Sequence, residues 1–127
     1  MAGEFNIITA WVWFLLGILS GILPGLLFQN ADWMGGYGSW RRRLTRLGHI
    51  SFFGLGGLNF AFALTLEYYA IEEPQYLASA LFVSGAVAMP TICYLSAWKK
   101  GFRHLFFIPV VSLLIGTLLT LAVVLRS

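Results

Sequence analysis

Residues 41–69 read RRRLTRLGHISFFGLGGLNFAFALTLEYY, a group of arginines that leads directly into a long apolar stretch. Between residues 47 and 69 the only Asp, Glu, Lys or Arg is Glu67, close to the end of the stretch. A helix needs roughly 20 apolar residues to cross the hydrocarbon core of a bilayer, and this stretch is long enough. Because lipid cannot satisfy backbone N–H and C=O groups, we expect the stretch to be a helix.

Three further stretches, at residues 5–28, 76–98 and 105–125, contain no Asp, Glu, Lys or Arg at all. The chain of 127 residues is 59% hydrophobic and only 10% charged, whereas soluble domains carry about 25% charged residues. The sequence therefore predicts an all-α integral membrane protein. We expect one domain, residues 1–127, in which four transmembrane helices form a bundle.

The charges of the connections predict the orientation of this bundle. The second connection has Glu72 and Glu73 and no basic residue. Seven of the eight Lys and Arg residues lie in the first and third connections, namely Arg41, Arg42, Arg43, Arg46, Lys99, Lys100 and Arg103. Because basic loops stay in the cytoplasm, we expect both termini on the non-cytoplasmic side, with a bacterial plasma (inner) membrane as the location.

The net charge of +3 is explained by this topology, and it does not indicate a nucleic-acid partner. Ser39 is a predicted N-cap for a helix that begins before the membrane does. Arginines in the first turn of that helix would oppose its macrodipole, so helix stability does not explain them. Topology alone explains them, and so does binding to anionic lipid headgroups or an acidic partner; the candidate residues are Arg41, Arg42, Arg43, Lys99 and Lys100.

Small and polar residues inside the stretches predict how the helices pack. Glycines at four-residue intervals allow two helix backbones to approach closely, and an intramembrane amide usually forms an interhelical hydrogen bond. The candidates for helix packing are Gly17, Gly21, Gly25 and Asn59. Pro24 and Pro90 each free a carbonyl group, which a neighbouring helix or a hydroxyl group must satisfy.

Both histidines stand at the basic side of the chain, His49 shortly after Arg46 and His104 directly after Arg103. A neutral imidazole can bind iron or another metal, or accept a hydrogen bond from a quinol hydroxyl. The two can face each other only if the second and fourth helices are neighbours or border one cleft. The candidate residues for haem b or quinone binding are His49, His104, Arg46, Arg103, Phe53 and Gly56, with the two histidines as metal ligands. Alternatively, both histidines are ordinary amphipathic residues at headgroup level.

These observations favour a small subunit of an electron-transfer or other energy-converting membrane complex that contacts haem b or quinone. In size and helix number the chain resembles the four-helix cytochrome b anchors, although it contains none of their motifs. A cofactor-free scaffold subunit, packed against larger membrane subunits or against itself, is the alternative. A small oligomeric transporter or channel is less favoured, because no ionisable residue lies in mid-membrane. No catalytic motif indicates an independent enzyme, and the single Cys93 excludes a disulfide within the chain.

Overall fold

The structure is a computed structural model that describes residues 3–127, and all regular secondary structure in this range is helical. The elements are α1 (Glu4–Leu27), α2 (Trp40–Tyr68), α3 (Tyr76–Trp98) and α4 (Phe107–Arg126), with 3-10 segments at Trp33–Gly35 and Lys100–Phe106. Four helices are long and apolar enough to cross a membrane, the last one together with its 3-10 segment. The predicted number and type of the elements is confirmed.

Helix α2 begins seven residues before the predicted position 47. Its N-cap is Ser39, whose hydroxyl oxygen accepts a hydrogen bond from the backbone N–H of Arg42 at 3.1 Å. The predicted cap is therefore confirmed, and residues 41–46 are helical. Helix α4 begins two residues after the predicted position 105, because Lys100–Phe106 forms a 3-10 segment. An apolar stretch marks only the part of a helix suited to hydrocarbon, so it misses polar turns at the ends.

The helices pack in the order of the chain: α1 on α2, α2 on α3, and α3 on α4. The Lys100–Phe106 segment also packs on α3, and α1 has a smaller contact with α3. Helix α3 therefore separates α2 from α4. Many large apolar side chains on the outer faces of all four helices are exposed, which suits contact with lipid.

One end of the bundle, which we call the acidic end, contains Glu72 and Glu73 in the connection between α2 and α3. The opposite end, the basic end, contains the α1–α2 connection, the first turns of α2 and the Lys100–Phe106 segment. The two ends differ in charge, as the sequence predicts.

Three polar side chains join α1, α2 and α3 in the half of the bundle nearer the acidic end. Asn6 and Asn59 are both 0% exposed, and Asn6 Nδ2 donates to Asn59 Oδ1 at 2.8 Å. The hydroxyl of Ser79 donates to Asn6 Oδ1 at 2.5 Å. Asn59 Nδ2 also donates to the carbonyls of Leu55 and Phe82, at 2.9 and 3.3 Å. Asn59 thus makes an interhelical hydrogen bond, and its partner Asn6 was not anticipated.

A further link between α1 and α3 depends on Pro90. Proline has no N–H, so the carbonyl of Ala86, four residues earlier, has no helical donor. The indole N–H of Trp13 donates to this carbonyl at 2.8 Å. Helix α1 therefore supplies the hydrogen bond that α3 lacks.

Candidate functional site at the α1–α2 groove

One face of α2 carries Arg42, Arg46, His49 and Phe53, spaced by three or four residues, and it faces α1. A Cβ atom at Gly17 would lie 2.8 Å from the Phe53 ring, and one at Gly21 would lie 2.6 Å from Cε1 of His49. Real Cβ atoms do not approach this closely, so only glycine at these two positions lets the rings lie against the backbone of α1. Gly17 and Gly21 thus lie at the contact of α1 with α2, where they accommodate two rings of α2.

The two other glycines proposed from the sequence have different surroundings. A Cβ atom at Gly25 would have no atom within 4 Å, and Gly25 instead borders a cavity. Gly56 is buried, and a Cβ atom there would lie 2.9 Å from the Phe14 ring. The space that was expected to accept a flat ligand at Gly56 is therefore filled by Phe14 of the chain itself.

His49 is held in place by α1. Its Nδ1 lies 3.0 Å from the hydroxyl oxygen of Ser20, and its ring packs edge to face on Phe53 with 5.5 Å between the ring centroids. The Ser20 hydroxyl also donates to the carbonyl of Gly17 at 3.1 Å. A hydroxyl group has a single proton, so both contacts are hydrogen bonds at once only if His49 Nδ1–H donates to Ser20. In that tautomer Nε2 carries a free lone pair.

His49 lines a cavity of about 320 Å³ between the end of α1 and the first turns of α2. Small-molecule pockets span roughly 300–1,000 Å³, so this cavity is at the lower end of that range. Within residues 3–127, Nε2 of His49 has no hydrogen bond, and it is not among the buried polar atoms without a partner. It therefore has accessible surface, and His49 is one of the residues that line the cavity. The lining residues are Gly21, Pro24, Gly25, Phe28, Trp33, Arg42, Arg46, His49 and Ile50.

Arg42 closes the cavity at the α1–α2 connection and is only 4% exposed. Its guanidinium donates to the carbonyl groups of Phe28 and Asn30, the latter at 2.9 Å, and Cζ lies 4.1 Å from the centroid of the Tyr37 ring. The guanidinium thus satisfies the carbonyl of Phe28, which the end of α1 leaves without a helical donor, and also binds a carbonyl of the connection that follows. This differs from the surface role expected from the sequence, because a side chain enclosed in the loop cannot reach lipid phosphates or a partner.

The structure does not bring the second histidine to this cavity. His104 and Arg103 are exposed on the 3-10 segment before α4, and this segment packs mainly on α3. The main helix contacts are α1–α2, α2–α3 and α3–α4, so α2 and α4 are not main neighbours, and the cavity that His49 lines is not lined by His104. In the described part of the chain no group of three or more His, Cys, Asp or Glu residues is placed to hold a metal ion.

The remaining basic residues lie on the surface of the basic end. Arg41 Nε donates to the carbonyl of Ala97 at 3.3 Å, and the Lys99 ammonium lies 4.7 Å from the Trp98 ring. The Arg41 hydrogen bond connects the first turn of α2 to the end of α3. The exposed basic side chains here are Arg41, Arg43, Arg46, Lys99, Lys100 and Arg103.

The α1 side of the cavity was not predicted. Ser20 lies one residue before Gly21, and no local pattern in the sequence connects its hydroxyl group with His49. The helical register of α2 could have predicted two other residues of the cavity. Arg46 lies three residues before His49, and Arg42 lies four residues before Arg46. The same register places both arginines beside the imidazole.

The chain matches no protein-family profile, no curated protein and no solved structure. The helix arrangement and the His49 cavity are thus the observations from which a function is inferred.

Proposed function

We propose that this chain is a small integral subunit of an electron-transfer membrane complex and that the His49 cavity binds the headgroup of a quinone. The observation that carries the proposal is the fixed imidazole: the Ser20 hydroxyl lies 3.0 Å from Nδ1, and His49 lines a mainly apolar cavity. In the neutral ring that donates from Nδ1 to Ser20, Nε2 is an acceptor. A quinol headgroup needs such an acceptor for its hydroxyl and an apolar surrounding for its ring.

The other residues of the cavity suit the same ligand. Arg46 supplies N–H donors for a quinone carbonyl oxygen, and its positive charge favours electron density on that oxygen. Trp33 and Phe28 supply aromatic surface at the opposite wall. The isoprenoid tail would leave the groove along the exposed apolar faces of α1 and α2, where lipid would otherwise lie.

Haem b is less well supported than quinone. A haem with two axial histidines needs His49 and His104 on the two sides of one iron atom, and they lie in different parts of the bundle. A haem that has His49 as its single protein ligand is compatible with the geometry, and Arg46 would then lie near a propionate. Its visible spectrum distinguishes it from quinone directly.

The proposed location follows from the charges of the connections. The basic end would face the cytoplasm of a bacterial cell, and both termini would lie on the opposite side. The His49 cavity is then near the cytoplasmic surface, where quinone reduction or oxidation can exchange protons with the cytoplasm.

The proposal is tested by purifying the protein in mild detergent, extracting bound quinone for chromatography, and titrating the quinone-free protein with a short-chain ubiquinone. Binding is measured by quenching of tryptophan fluorescence, since Trp33 lines the cavity. His49→Phe keeps a ring but removes the acceptor, so we expect affinity to fall about tenfold, the equivalent of one hydrogen bond. His104→Phe is the matched control and should leave the affinity unchanged.

Three results would contradict quinone binding. Equal affinities of the wild type and His49→Phe would exclude the cavity as the site. A Soret band that is lost in His49→Phe would assign haem b instead. A colourless protein without quinone affinity, which purifies together with larger membrane subunits, would favour the cofactor-free scaffold.

A further inference from the structure

We infer that a second cavity at the basic end binds the phosphate group of an anionic phospholipid. This cavity has a volume of about 290 Å³ and is lined by Trp40, Arg43, Leu44, Arg46, Leu47 and Ile50. It lies on α2 beside the His49 cavity, with which it shares Arg46 and Ile50.

The charges around this cavity are positive and come from two connections. Arg43 and Arg46 are exposed and lie three residues apart on α2, so their side chains are neighbours on the helix surface. Lys100 belongs to the other basic connection, and its ammonium lies 5.6 Å from the centroid of the Trp40 ring. None of the three forms an ion pair within the described chain. Two guanidinium groups and an ammonium group without acidic partners suit a phosphate.

Trp40 links α2 to α3 at the basic end. Its indole N–H donates to the carbonyl of Ser96 at 2.7 Å, which joins the first turn of α2 to the end of α3. The Trp40 ring is therefore positioned by the fold and is available as one wall of the cavity. Tryptophan is also enriched at the level of lipid headgroups.

The apolar part of the cavity favours a phospholipid over free phosphate. Leu44 lies between the two arginines, and Leu47 and Ile50 follow them along α2 toward the apolar part of the helix. Leu47 and Ile50 are about half exposed, at 48% and 55%. A phosphate at Arg43 and Arg46 would place the first segment of an acyl chain on this surface, and free phosphate would leave it uncovered.

The test compares phosphatidylglycerol with phosphatidylcholine by native mass spectrometry of the full chain released from detergent. The double variant Arg43→Gln/Lys100→Gln removes two charges beside the cavity, and neither residue lines the His49 cavity. The control Arg103→Gln/Arg126→Gln removes two charges elsewhere. One basic residue near the surface is worth about 1 kcal/mol, so we expect the first variant to bind phosphatidylglycerol about 30-fold more weakly and the control to bind within about threefold of the wild type.

Three outcomes would overturn the inference. Equal weakening in both double variants would show a response to total charge rather than a site. Equal retention of the two lipids by the wild type would show that the net negative charge of the headgroup is not recognised, because phosphatidylcholine also contains a phosphate group but is neutral overall. Displacement of bound phosphatidylglycerol by millimolar inorganic phosphate would assign the site to free phosphate.

Discussion

At the scale of single residues, the candidate site depends on a glycine rather than on a charged group. Gly21 is the position where a side chain would meet His49, at 2.6 Å from Cε1. The imidazole cannot move aside without losing its hydrogen bond to Ser20. Gly25, one turn further along α1, has free space around it. The two glycines look alike in the sequence, and their tertiary contacts separate them.

Because Gly21 is closely packed and Gly25 is not, we expect the same substitution to have different effects at the two positions. Gly21→Ala should lower the free energy of unfolding in detergent by about 1–2 kcal/mol, the usual cost of overpacking, and should also weaken ubiquinone binding. Gly25→Ala should change stability by less than about 0.5 kcal/mol. Chemical unfolding in mixed micelles measures both. Equal effects of the two substitutions would mean that His49 does not pack on Gly21.

His49 and Arg42 show which features of the candidate site the sequence predicts and which it does not. The apolar stretch and the arginine cluster place His49 near the basic end, and helical spacing places it in line with Phe53. Its partner Ser20 lies 29 positions earlier in the chain, and no local pattern connects the two. Arg42 is chemically identical to Arg41 and Arg43, and only its direction toward the end of α1 makes it a buried capping residue.

At the scale of elements, the link between α1 and α3 depends on Trp13, Ala86 and Pro90. The Trp13 indole satisfies a carbonyl that Pro90 leaves without a helical donor. In Pro90→Ala the new N–H at position 90 can donate to the Ala86 carbonyl within α3. A substitution of Trp13 and a substitution of Pro90 are therefore coupled, because both change the hydrogen bond to the Ala86 carbonyl.

A double-mutant cycle measures this coupling. Trp13→Phe alone should cost about 1 kcal/mol of unfolding free energy beyond the loss of packing, which is typical of a hydrogen bond. The same substitution in the Pro90→Ala background should cost less, since the carbonyl then keeps a donor. Additive effects would indicate that the Trp13 hydrogen bond does not compensate for Pro90.

Hydropathy predicts the elements well but not their ends. The stretches at residues 5–28 and 76–98 agree with α1 and α3 to within one residue at each end, because their polar flanks lie close to the apolar part. Helix α2 extends seven residues further toward its N-terminus, where Ser39 supplies the cap and the residues are mostly basic. Such a turn has helix-forming residues and a cap but no apolar signal.

At the scale of the whole molecule, the bundle is a series in which α3 lies between α2 and α4. Three polar links hold α1 to the rest of the bundle. They join Asn6 to Asn59 and Ser79, Trp13 to the carbonyl of Ala86, and Ser20 to His49. Helix order around a bundle is a matter of tertiary packing, and the apolar stretches do not determine it. This is why the two histidines looked able to share a site and lie apart in the fold.

The orientation of the bundle in the membrane is the claim on which the proposed cytoplasmic site and the lipid site both depend. Single cysteines introduced in a Cys93→Ala background report it through a membrane-impermeant thiol reagent applied to intact cells. Gly38, in the α1–α2 connection, and Glu73, in the α2–α3 connection, are both exposed and suit this purpose. We expect Glu73→Cys to be labelled in intact cells and Gly38→Cys only after the membrane is permeabilised; labelling of Gly38→Cys in intact cells would contradict the account.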